Sequence, residues 1–599
     1  MTQYLRSTAT LELPAVLEML EREAVSEMAK SRARALTPST DEAEVRRRLA
    51  ETSAARGMMI TRGSPGFSGV KDVRASLQRA DMGGVLNTRE LLDIAGVLAA
   101  ARAAKAYAAG DGKGEKTCID YIFQSLQANR FLEDKITSSI AGEEEIADAA
   151  SSELASIRRL IRAASARVRE ALQKIISSPS YAKALQEPII TTRSERYVVP
   201  VKAEFKNAVP GLVHDVSGSG ATLFIEPMAA VKANNELREL RAREKAEIER
   251  ILAELSADCA EHADGISLDF DLLVRLDLIF AKAKLSYALD AVEPEISGRE
   301  IRLHRARHPL LAKDSAVPID LELGGAYDTL VITGPNTGGK TVTLKTIGLL
   351  CVMAACGLHI PAASDSAVPV FTGVLADIGD EQSIEQNLST FSSHMTNIVR
   401  ILDECGENTL VLFDELGAGT DPTEGAALAI SIIEYARKCG AVIAATTHYA
   451  ELKVYATNEK GVMNASCEFD VATLKPTYRL LVGIPGKSNA FAISERLGVP
   501  AEIIEDARGR IGTESASFEA TLEKLEEVRQ ALERDREEAE KKLREAEANR
   551  KESAKIRVEL ELRLDKAEVK ARRDAERIIA SARETAEAAF AEIDRMRSQ

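Results

Sequence analysis

The chain has 599 residues, more than one hydrophobic core normally organises, so we expect several domains. Charged residues make up 29% of the chain and aromatic residues 4%, with no tryptophan, a mixture typical of extensive exposed helix. The net charge of −15 excludes a whole-protein field that attracts nucleic acid, so any such contact must come from a local patch.

The N-terminal segment lacks a basic stretch followed by an apolar one, and no stretch has eighteen consecutive apolar residues. The sequence therefore predicts a cytoplasmic protein with no membrane span. The seven cysteines include no Cys-x-x-Cys pair, which argues against a zinc site and against a disulfide framework.

The pattern over residues 1–134 predicts a helical core domain. Polar residues that commonly cap helices precede two of its helical patterns, Ser39-Thr40-Asp41 in one case and Asn87 or Thr88 in the other. Glycine, proline and serine residues at 61–70 indicate a loop between the two helices.

Residues 135–295 predict two long helical arms that carry a small β-rich tip. We expect a lever helix over 135–187 and return lever helices over 233–295. Between them, residues 188–232 hold alternating β-branched residues broken by Val-Pro-Gly and Ser-Gly-Ser-Gly turns, which indicates a β insert.

Over residues 296–512, short apolar strands alternate with helices, a pattern typical of an α/β domain. After the strand at 328–333 comes a G-x-x-x-x-G-K-[ST] loop, formed by Gly334, Pro335, Asn336, Thr337, Gly338, Gly339, Lys340 and Thr341. Glycines let the backbone N–H groups of such a loop approach phosphates closely. Lys340 is expected to neutralise the β- and γ-phosphates, and Thr341 to ligate Mg²⁺ at a helix N-terminus.

Two more strand ends extend this nucleotide site. The apolar run at 408–413 ends in Asp414 and Glu415, which we interpret as a residue that holds Mg²⁺ and a residue that polarises the attacking water. A third strand ends near His448, which could reach the γ-phosphate or its water. A purely structural histidine is the alternative interpretation. The sequence predicts nucleotide hydrolysis.

Residues 513–599 form a charged helical region. Apolar residues at spacings of three, four and seven make up a partial, alanine-rich coiled-coil pattern: Leu525, Val528, Leu532, Ala539, Leu543 and Ala546. We predict a helical coiled-coil arm, with a solvated single helix as the alternative.

The segments TGPNTGGKT, FDELGAGTDPTEG, STFSSHM and ATTHYAELK together resemble the MutS family of ABC-type ATPases. The long arms with a β tip are similar to that family's core, lever and clamp regions. The segment RYVVPVKAEFKNAVPGLVHDVSGSGATLFIEP resembles the second bacterial branch of that family, MutS type two. The resemblance covers nearly the whole chain. It implies a multidomain fold: a mostly α-helical core and lever, a β clamp at 188–232, an ABC-type P-loop ATPase domain at 296–512 and a coiled-coil arm.

The resemblance also implies roles for single residues. ATP and Mg²⁺ would bind at 334–341, with Asp414 as the metal-associated acid and Glu415 as the catalytic base. Ser389, in NLSTFSSHM, resembles the ABC signature and would face the γ-phosphate of the partner subunit, so hydrolysis would require a homodimer. A plain helix N-cap is the alternative role for Ser389. Pro318 and Ile319 lie where the family packs the adenine base.

The implied function is a dimeric ATP-hydrolysing clamp on nucleic-acid or ribonucleoprotein structures. Its target would be collided or stalled ribosomes, which it would split, or branched DNA, where it would suppress recombination. One alternative is a structural chromosome-organising ABC ATPase, which the short spacing between Lys340 and Asp414 disfavours. The other is a nucleotide-gated binding scaffold with a degenerate site, which the intact motif residues disfavour.

The sequence departs from the family at two places. Mismatch-reading members carry an N-terminal Phe-x-Glu reader; the tripeptides 131–133 and 224–226 match it, but we interpret both as chance and do not expect mismatch repair. The second branch usually ends in a small Smr nuclease domain. We expect that this chain stops before one, so endonuclease activity is in doubt.

Basic residues on the lever and the β insert are the candidates for contact with rRNA or DNA. Arg158, Arg162 and Arg169 share a helix face in a stretch where Glu170 is the acidic residue, although a solvated face is an equally good interpretation. The insert adds Arg193, Lys202 and Lys206. Its nearly balanced charge and few aromatic residues argue against stacking of single-stranded bases.

Overall fold

A computed structural model describes residues 3–110, 116–335, 338–379, 390–470, 475–486, 490–496, 498–509 and 513–597. The chain divides into two compact units, Met1–Gly486 and Lys487–Gln599. None of the helices within the described ranges is both long enough and apolar enough to cross a membrane.

The first part of the chain is helical. Its eight helices are α1 (Gln3–Thr10), α2 (Leu13–Glu23), α3 (Glu27–Arg34), α4 (Glu42–Arg62), α5 (Arg74–Asp81), α6 (Thr88–Ala109), α7 (Asp120–Ser125) and α8 (Arg130–Ser139). The side chain of Asp41 caps α4, and Asn87 forms a capping box with Glu90 at the start of α6. Both predicted caps are therefore confirmed.

The continuous lever helix expected over 135–187 is wrong at both ends. After α8 the chain forms a short hairpin of β1 (Ile140–Gly142) and β2 (Glu145–Ile146), and then a 3₁₀ turn. The lever helix α9 (Ser152–Ile176) begins only where the Ser151 side chain accepts from the N–H of Leu154. The exposed turn at Glu143 and Glu144 interrupts the helix, and the Ser151 cap starts the next one.

The β insert is an antiparallel sheet in the order β3-β4-β6-β5. Its strands are β3 (Thr191–Arg193), β4 (Arg196–Lys202), β5 (Gly211–Val216) and β6 (Thr222–Pro227). Helix α10 (Met228–Glu261) returns along α9, whereas α11 (Ala263–Ala288) packs among the N-terminal helices. Of the return lever helices expected over 233–295, α10 therefore lies beside the lever, whereas α11 belongs to the N-terminal helical part.

The α/β part is built on a six-stranded sheet in the order β12-β13-β14-β10-β15-β16. Its strands are β10 (Thr329–Thr333), β12 (Gly373–Asp377), β13 (Thr409–Phe413), β14 (Val442–Thr446), β15 (Val462–Asp470) and β16 (Lys475–Val482). All pairings are parallel except that of the edge strand β16. The carboxyl ends of β12, β13, β14 and β10 therefore meet along one edge, the usual place for a ligand in such sheets.

Four helices accompany this sheet, namely α12 (Lys340–Ala355), α13 (Thr390–Glu404), α14 (Pro422–Lys438) and α15 (Ala450–Asn458). A smaller sheet in the order β7-β11-β8-β9 is formed by β7 (Glu295–Ser297), β8 (Ile301–Ala306), β9 (Ile319–Leu323) and β11 (Ala367–Pro369). The main hydrophobic core joins the N-terminal helices to one face of the large sheet. A Cβ added at Gly348 of α12 would lie 2.6 Å from Leu412 and 2.8 Å from Leu11, so the helix packs closely on both.

The second unit contains α16 (Ala490–Arg496), α17 (Ala501–Gly509) and the 85-residue helix α18 (Thr513–Arg597). The helical character predicted for residues after 513 is confirmed. Whether α18 forms a coiled coil stays a prediction.

Candidate ATPase site

The glycine-rich loop connects β10 to α12, as the sequence predicts. Gly334 has φ 131° and Gly339 has φ 89°, conformations that favour glycine. A Cβ at Gly334 would lie 3.1 Å from the backbone oxygen of Cys467. The loop can thus follow this path only with glycine at these positions. Asn336 and Thr337 lie outside the described residues, while Pro335 and Gly338 flank them.

Lys340 is buried at the start of α12, with 2% of its surface exposed. Its Nζ donates to the backbone oxygen of Gly334 at 2.9 Å and lies 2.9 Å from Nε2 of His448. Burial lowers the pKa of Lys340 to about 8, although the nearby carboxylates of Glu415 and Asp414 favour its charged form. A desolvated cation at the end of a glycine loop suits a phosphate group, which would replace the lost hydration.

Thr341 and Asp414 meet at the same edge of the sheet. The Thr341 hydroxyl donates to Oδ2 of Asp414 at 2.7 Å, and the Thr446 hydroxyl donates to Oδ1 at 2.5 Å. Asp414 is 6% exposed. A hydroxyl beside a carboxylate is the oxygen donor set that Mg²⁺ takes next to a nucleotide, so the residues present fit that ion.

Glu415 follows Asp414 in the left-handed region, with φ 50°. Its N–H donates to the Thr446 hydroxyl at 2.8 Å, and its Oε1 lies 3.2 Å from Nε2 of His448. The hydrogen bond to His448 holds the pKa of Glu415 below its usual value, against the opposing effect of burial. The side chain is therefore an ionised acceptor, and its unusual backbone conformation aims it at His448 rather than into the sheet.

The structure adds a pair of residues that the sequence analysis did not select. Asp377 ends β12, and its Oδ2 lies 2.8 Å from Nδ1 of His394 on α13. This hydrogen bond raises the pKa of His394, to which Asp414 and Glu415 contribute as nearby charges. Asn397 donates to the other carboxylate oxygen of Asp377 at 2.8 Å. His394 lies within the STFSSHM segment, but nothing in the sequence indicates its partner 17 residues upstream.

The same network reaches the N-terminal helix α1. Nε2 of Gln3 donates to the side-chain oxygen of Asn397 at 2.8 Å, and the N–H of Ala376 in β12 donates to the Ser7 hydroxyl at 2.9 Å. Gln3 and Ser7 are both buried. The edge strand of the ATPase sheet is thus hydrogen-bonded to the first helix of the chain.

Two of the predicted site residues, Pro318 and Ile319, do not join this cluster. Ile319 is buried in β9, and Pro318 lines a separate cavity of about 470 Å³ together with Asp290, Arg305 and Lys313. Among the described residues of the glycine loop, none lines this cavity. Ser389 lies outside the described residues, so its position stays a prediction.

The basic residues of the lever are mostly engaged by acids from other elements. Arg158 is 18% exposed and binds Asp148 at 2.6 Å and Glu244 at 2.7 Å. Arg162 lies 3.4 Å from Asp148. The sequence analysis counted Glu170 as the only acidic residue near these arginines. That count was wrong, because the fold brings Asp148 and Glu244 beside them. Arg169 lies over the ring of Tyr197.

On the β insert, Arg193 stacks on the Phe224 ring at 4.2 Å and lies 3.2 Å from Asp215. Lys206 is exposed and Lys202 is half-buried. Lys206 is therefore the more accessible of these two cations for an external partner.

Both Phe-x-Glu tripeptides have their carboxylates engaged inside the protein. Glu133 is 7% exposed and binds the Arg102 guanidinium at 2.7 and 2.9 Å. Glu226 is fully buried between Arg196, at 2.7 Å, and His214, at 2.5 Å. Neither carboxylate is placed to read a base, which supports the interpretation of both matches as chance.

Comparison with known proteins agrees with this geometry. The family model for MutS domain V matches residues 330–513, a range that holds the glycine loop, the two acids and His448. An endonuclease MutS2 from Clostridium botulinum (strain Kyoto / Type A2) is 48% identical over 585 residues, which is 97% of this chain and 74% of the relative. The chain belongs to the MutS2 family. Proteins of the MutS family are ATPases that use ATP with Mg²⁺ and generally work as dimers on DNA.

Other MutS2 relatives match a similar region. The endonuclease MutS2 of Acetivibrio thermocellus is 51% identical over 519 residues, 86% of this chain and 65% of that protein. The endonuclease MutS2 of Geobacillus thermodenitrificans is 52% identical over 527 residues, 87% of this chain and 67% of that protein. The match therefore spans about two thirds of the length of these curated relatives.

Proposed function

We propose that this chain is a MutS2 ATPase that hydrolyses ATP with Mg²⁺ as a homodimer. The observation that carries this proposal is one connected set of contacts at the carboxyl edge of the sheet. Thr341 contacts Asp414, Thr446 bridges Asp414 and Glu415, and His448 lies between Glu415 and Lys340. These are the parts that phosphoryl transfer to water needs, because positioning and charge stabilisation dominate that reaction.

Each residue of the set has a role that follows from its contacts. The glycine loop binds the phosphates through its N–H groups, and Lys340 supplies a desolvated positive charge. Mg²⁺, held by Thr341 and Asp414, would neutralise the phosphate oxygens. Glu415 is ionised and is the candidate general base that orients and polarises the attacking water. His448, whose Nε2 lies within hydrogen-bond distance of Oε1 of Glu415 and Nζ of Lys340, can reach the same water or the γ-phosphate.

The proposed domain layout assigns each part of the fold a task. It comprises a helical core at 1–134, a lever region at 135–187 whose helix is α9, a β clamp at 188–232, a return region at 233–295 in which α10 lies along α9, the ATPase domain at 296–512 and an arm at 513–599. Ser389 would complete the nucleotide site of the partner subunit. ATP binding would then close the dimer and move the arms that carry the clamps.

The target we propose is a nucleic-acid or ribonucleoprotein structure, either a stalled, collided ribosome or branched DNA. The relatives are named endonucleases, which supports a nucleic-acid substrate for the family. Charge balance on the lever and clamp favours recognition of shape or backbone at a few exposed cations such as Lys206 over a broad basic surface.

The ATPase proposal is tested with Glu415→Gln and with Glu424→Gln, an exposed glutamate on α14, as the matched control. We expect Glu415→Gln to bind ATP normally, to hydrolyse it at least about a hundredfold more slowly and to accumulate as a dimer, because a general base contributes about 10²–10⁴ in rate. Normal turnover by Glu415→Gln would remove Glu415 from the role of base. Failure of Lys340→Ala to weaken ATP binding would contradict the nucleotide site itself.

The target is tested by binding of Glu415→Gln, in ATP and in ADP, to four-way DNA junctions, plain duplex, single ribosomes and collided ribosomes at two salt concentrations. Preference for collided ribosomes would make the protein a ribosome-splitting factor. Preference for junctions would place it in control of recombination. Equal binding to all four would contradict a structure-specific clamp.

A further inference from the structure

The long helix α18 carries an apolar stripe with an 11-residue period. Positions i, i+4 and i+8 of this repeat are apolar through 38 residues: Ile556, Leu560, Leu564, Ala567, Ala571, Ala575, Ile578, Ala582, Ala586, Ala589 and Ile593. The next position of the repeat is Arg597, where the pattern ends. Eleven residues in three turns give about 3.67 residues per turn, so the stripe stays on one face of a nearly straight helix.

These residues are exposed. The exposed fractions of Ile556, Leu564 and Ile578 are 57%, 61% and 68%, and the six alanines of the stripe are exposed as well. Most of the other positions carry charged side chains, and some of these pair within the helix, such as Arg563 with Glu559 and Arg577 with Asp574. Val569 and Ile579 are exposed apolar residues outside the stripe. A continuous exposed apolar stripe beside a self-paired charged surface marks an interaction site.

We propose that this stripe, residues 556–593, is a self-association surface on which α18 pairs with α18 of a second copy of the chain. The stripe is about 57 Å long, since an α-helix rises about 1.5 Å per residue. Only a partner with the same period can keep contact over such a length, and a second copy has that period by identity. The proposal goes beyond the ATPase and does not depend on nucleotide binding.

The side chains of the stripe suit such a pairing. Six of the eleven positions are alanine, which lets two helix backbones approach closely. A contact about 57 Å long and about 10 Å wide covers roughly 600 Å² on each helix, near the value of about 800 Å² per partner that stable interfaces need.

Nucleic acid is a poorer occupant of this surface. Residues 556–597 contain ten basic and ten acidic residues, so the helix has no net field to attract phosphates. Aromatic residues for base stacking are also scarce there, since Phe590 is the aromatic residue of this range and lies beside the stripe rather than in it.

The experiment compares two double variants of the full chain. Ala571→Glu with Ala582→Glu places charges in the stripe. Ala580→Glu with Ala591→Glu makes the same chemical change on the opposite face of the same helix, because each of these positions lies two residues from a stripe position. Sedimentation velocity without nucleotide and without Mg²⁺ reports association that the ATPase site does not drive.

We expect the wild-type chain and the opposite-face variant to sediment as dimers, and the stripe variant to dissociate at least tenfold more readily. Equal behaviour of the two variants, or a monomeric wild type, would overturn the proposal. Cross-linking gives a second readout: in a Cys118→Ser background, Ala575→Cys should form an interchain disulfide on mild oxidation and Ala580→Cys should not. A dimer without the cross-link at 575 would place self-association elsewhere and would also overturn the proposal, whatever the ATPase activity.

Discussion

The hydroxyl oxygen of Thr446 lies 2.5 Å from Oδ1 of Asp414, across the neighbouring parallel strands β14 and β13. The same oxygen accepts the N–H of Glu415 at 2.8 Å. One buried hydroxyl therefore fixes both the acid that would hold Mg²⁺ and the backbone that aims the candidate base. Because this hydroxyl contacts the candidate metal acid and the backbone of the candidate base, we assign Thr446 a positioning role.

Replacement of Thr446 by valine should lower kcat for ATP hydrolysis about ten- to a hundredfold with little change in KM. The loss of a hydrogen bond to a charged group costs about 1.5–3 kcal/mol, and each 1.4 kcal/mol of transition-state stabilisation is a factor of about ten. Thr446→Ser keeps the hydroxyl and should retain most of the activity. Wild-type activity of Thr446→Val in steady-state assays would show that these hydrogen bonds do not position the site.

Local signals predicted much of this site correctly. The strand before the glycine loop, the helix after it and the strands ending at Asp414 and near His448 each follow from a short apolar run with a characteristic end. Residues next to each other in a motif are brought together by the backbone alone. Parallel strands then place the motif ends at one edge of the sheet, which is why Thr341 and Asp414 meet.

Most of the missed features depend on partners that come from other elements of the fold. The ion pairs of Arg158 come from a turn before α9 and from α10, so no count along α9 could include them. The hydrogen bond between Asp377 and His394, and its continuation to Gln3, require the tertiary fold. The hairpin at 140–146 is too short to produce a visible period-two pattern.

His394 should stabilise the fold in a pH-dependent way. Its pKa is raised above 6.5, chiefly by the hydrogen bond to Asp377. The stabilisation is then complete below pH 6.5 and is lost as the pH rises through the raised pKa. We expect the thermal midpoint of wild type to exceed that of His394→Gln most at pH 6 and progressively less up to pH 8. His262→Gln, at an exposed histidine, should show no such trend.

The contribution of His359 to the stability of the fold should depend on pH in the opposite direction. It is 3% exposed, and its ring nitrogens contact the hydroxyls of Ser286 at 2.8 Å and Ser53 at 2.9 Å. Burial lowers the pKa of His359 from 6.5 to about 4. The contribution of the neutral ring to the free energy of unfolding is therefore complete above pH 6.5 and is lost as the pH falls toward 4. The difference between these two pKa values corresponds to roughly 3 kcal/mol in the free energy of unfolding.

The thermal midpoint of wild type relative to His359→Gln should therefore fall between pH 6.5 and pH 4. Differential scanning fluorimetry over this range gives the comparison, again with His262→Gln as the control. A constant difference between wild type and His359→Gln would mean that His359 is protonated inside the protein.

The β insert contains a fully buried carboxylate on which its stability should depend. Glu226 is fully buried and accepts from Arg196, whose side chain is 13% exposed. Glu226→Gln would leave this guanidinium without its counter-charge, and breaking a buried ion pair costs about 3–5 kcal/mol. We expect faster hydrogen exchange across β4, β5 and β6, with the ATPase sheet unchanged. The matched control is Asp215→Asn, which breaks the ion pair with Arg193. Both side chains of that pair are at least 40% exposed. Exposed pairs contribute about 0–1 kcal/mol, so hydrogen exchange in this variant should barely change. Equal exchange in the two variants would mean that the buried pair contributes no more than the surface one.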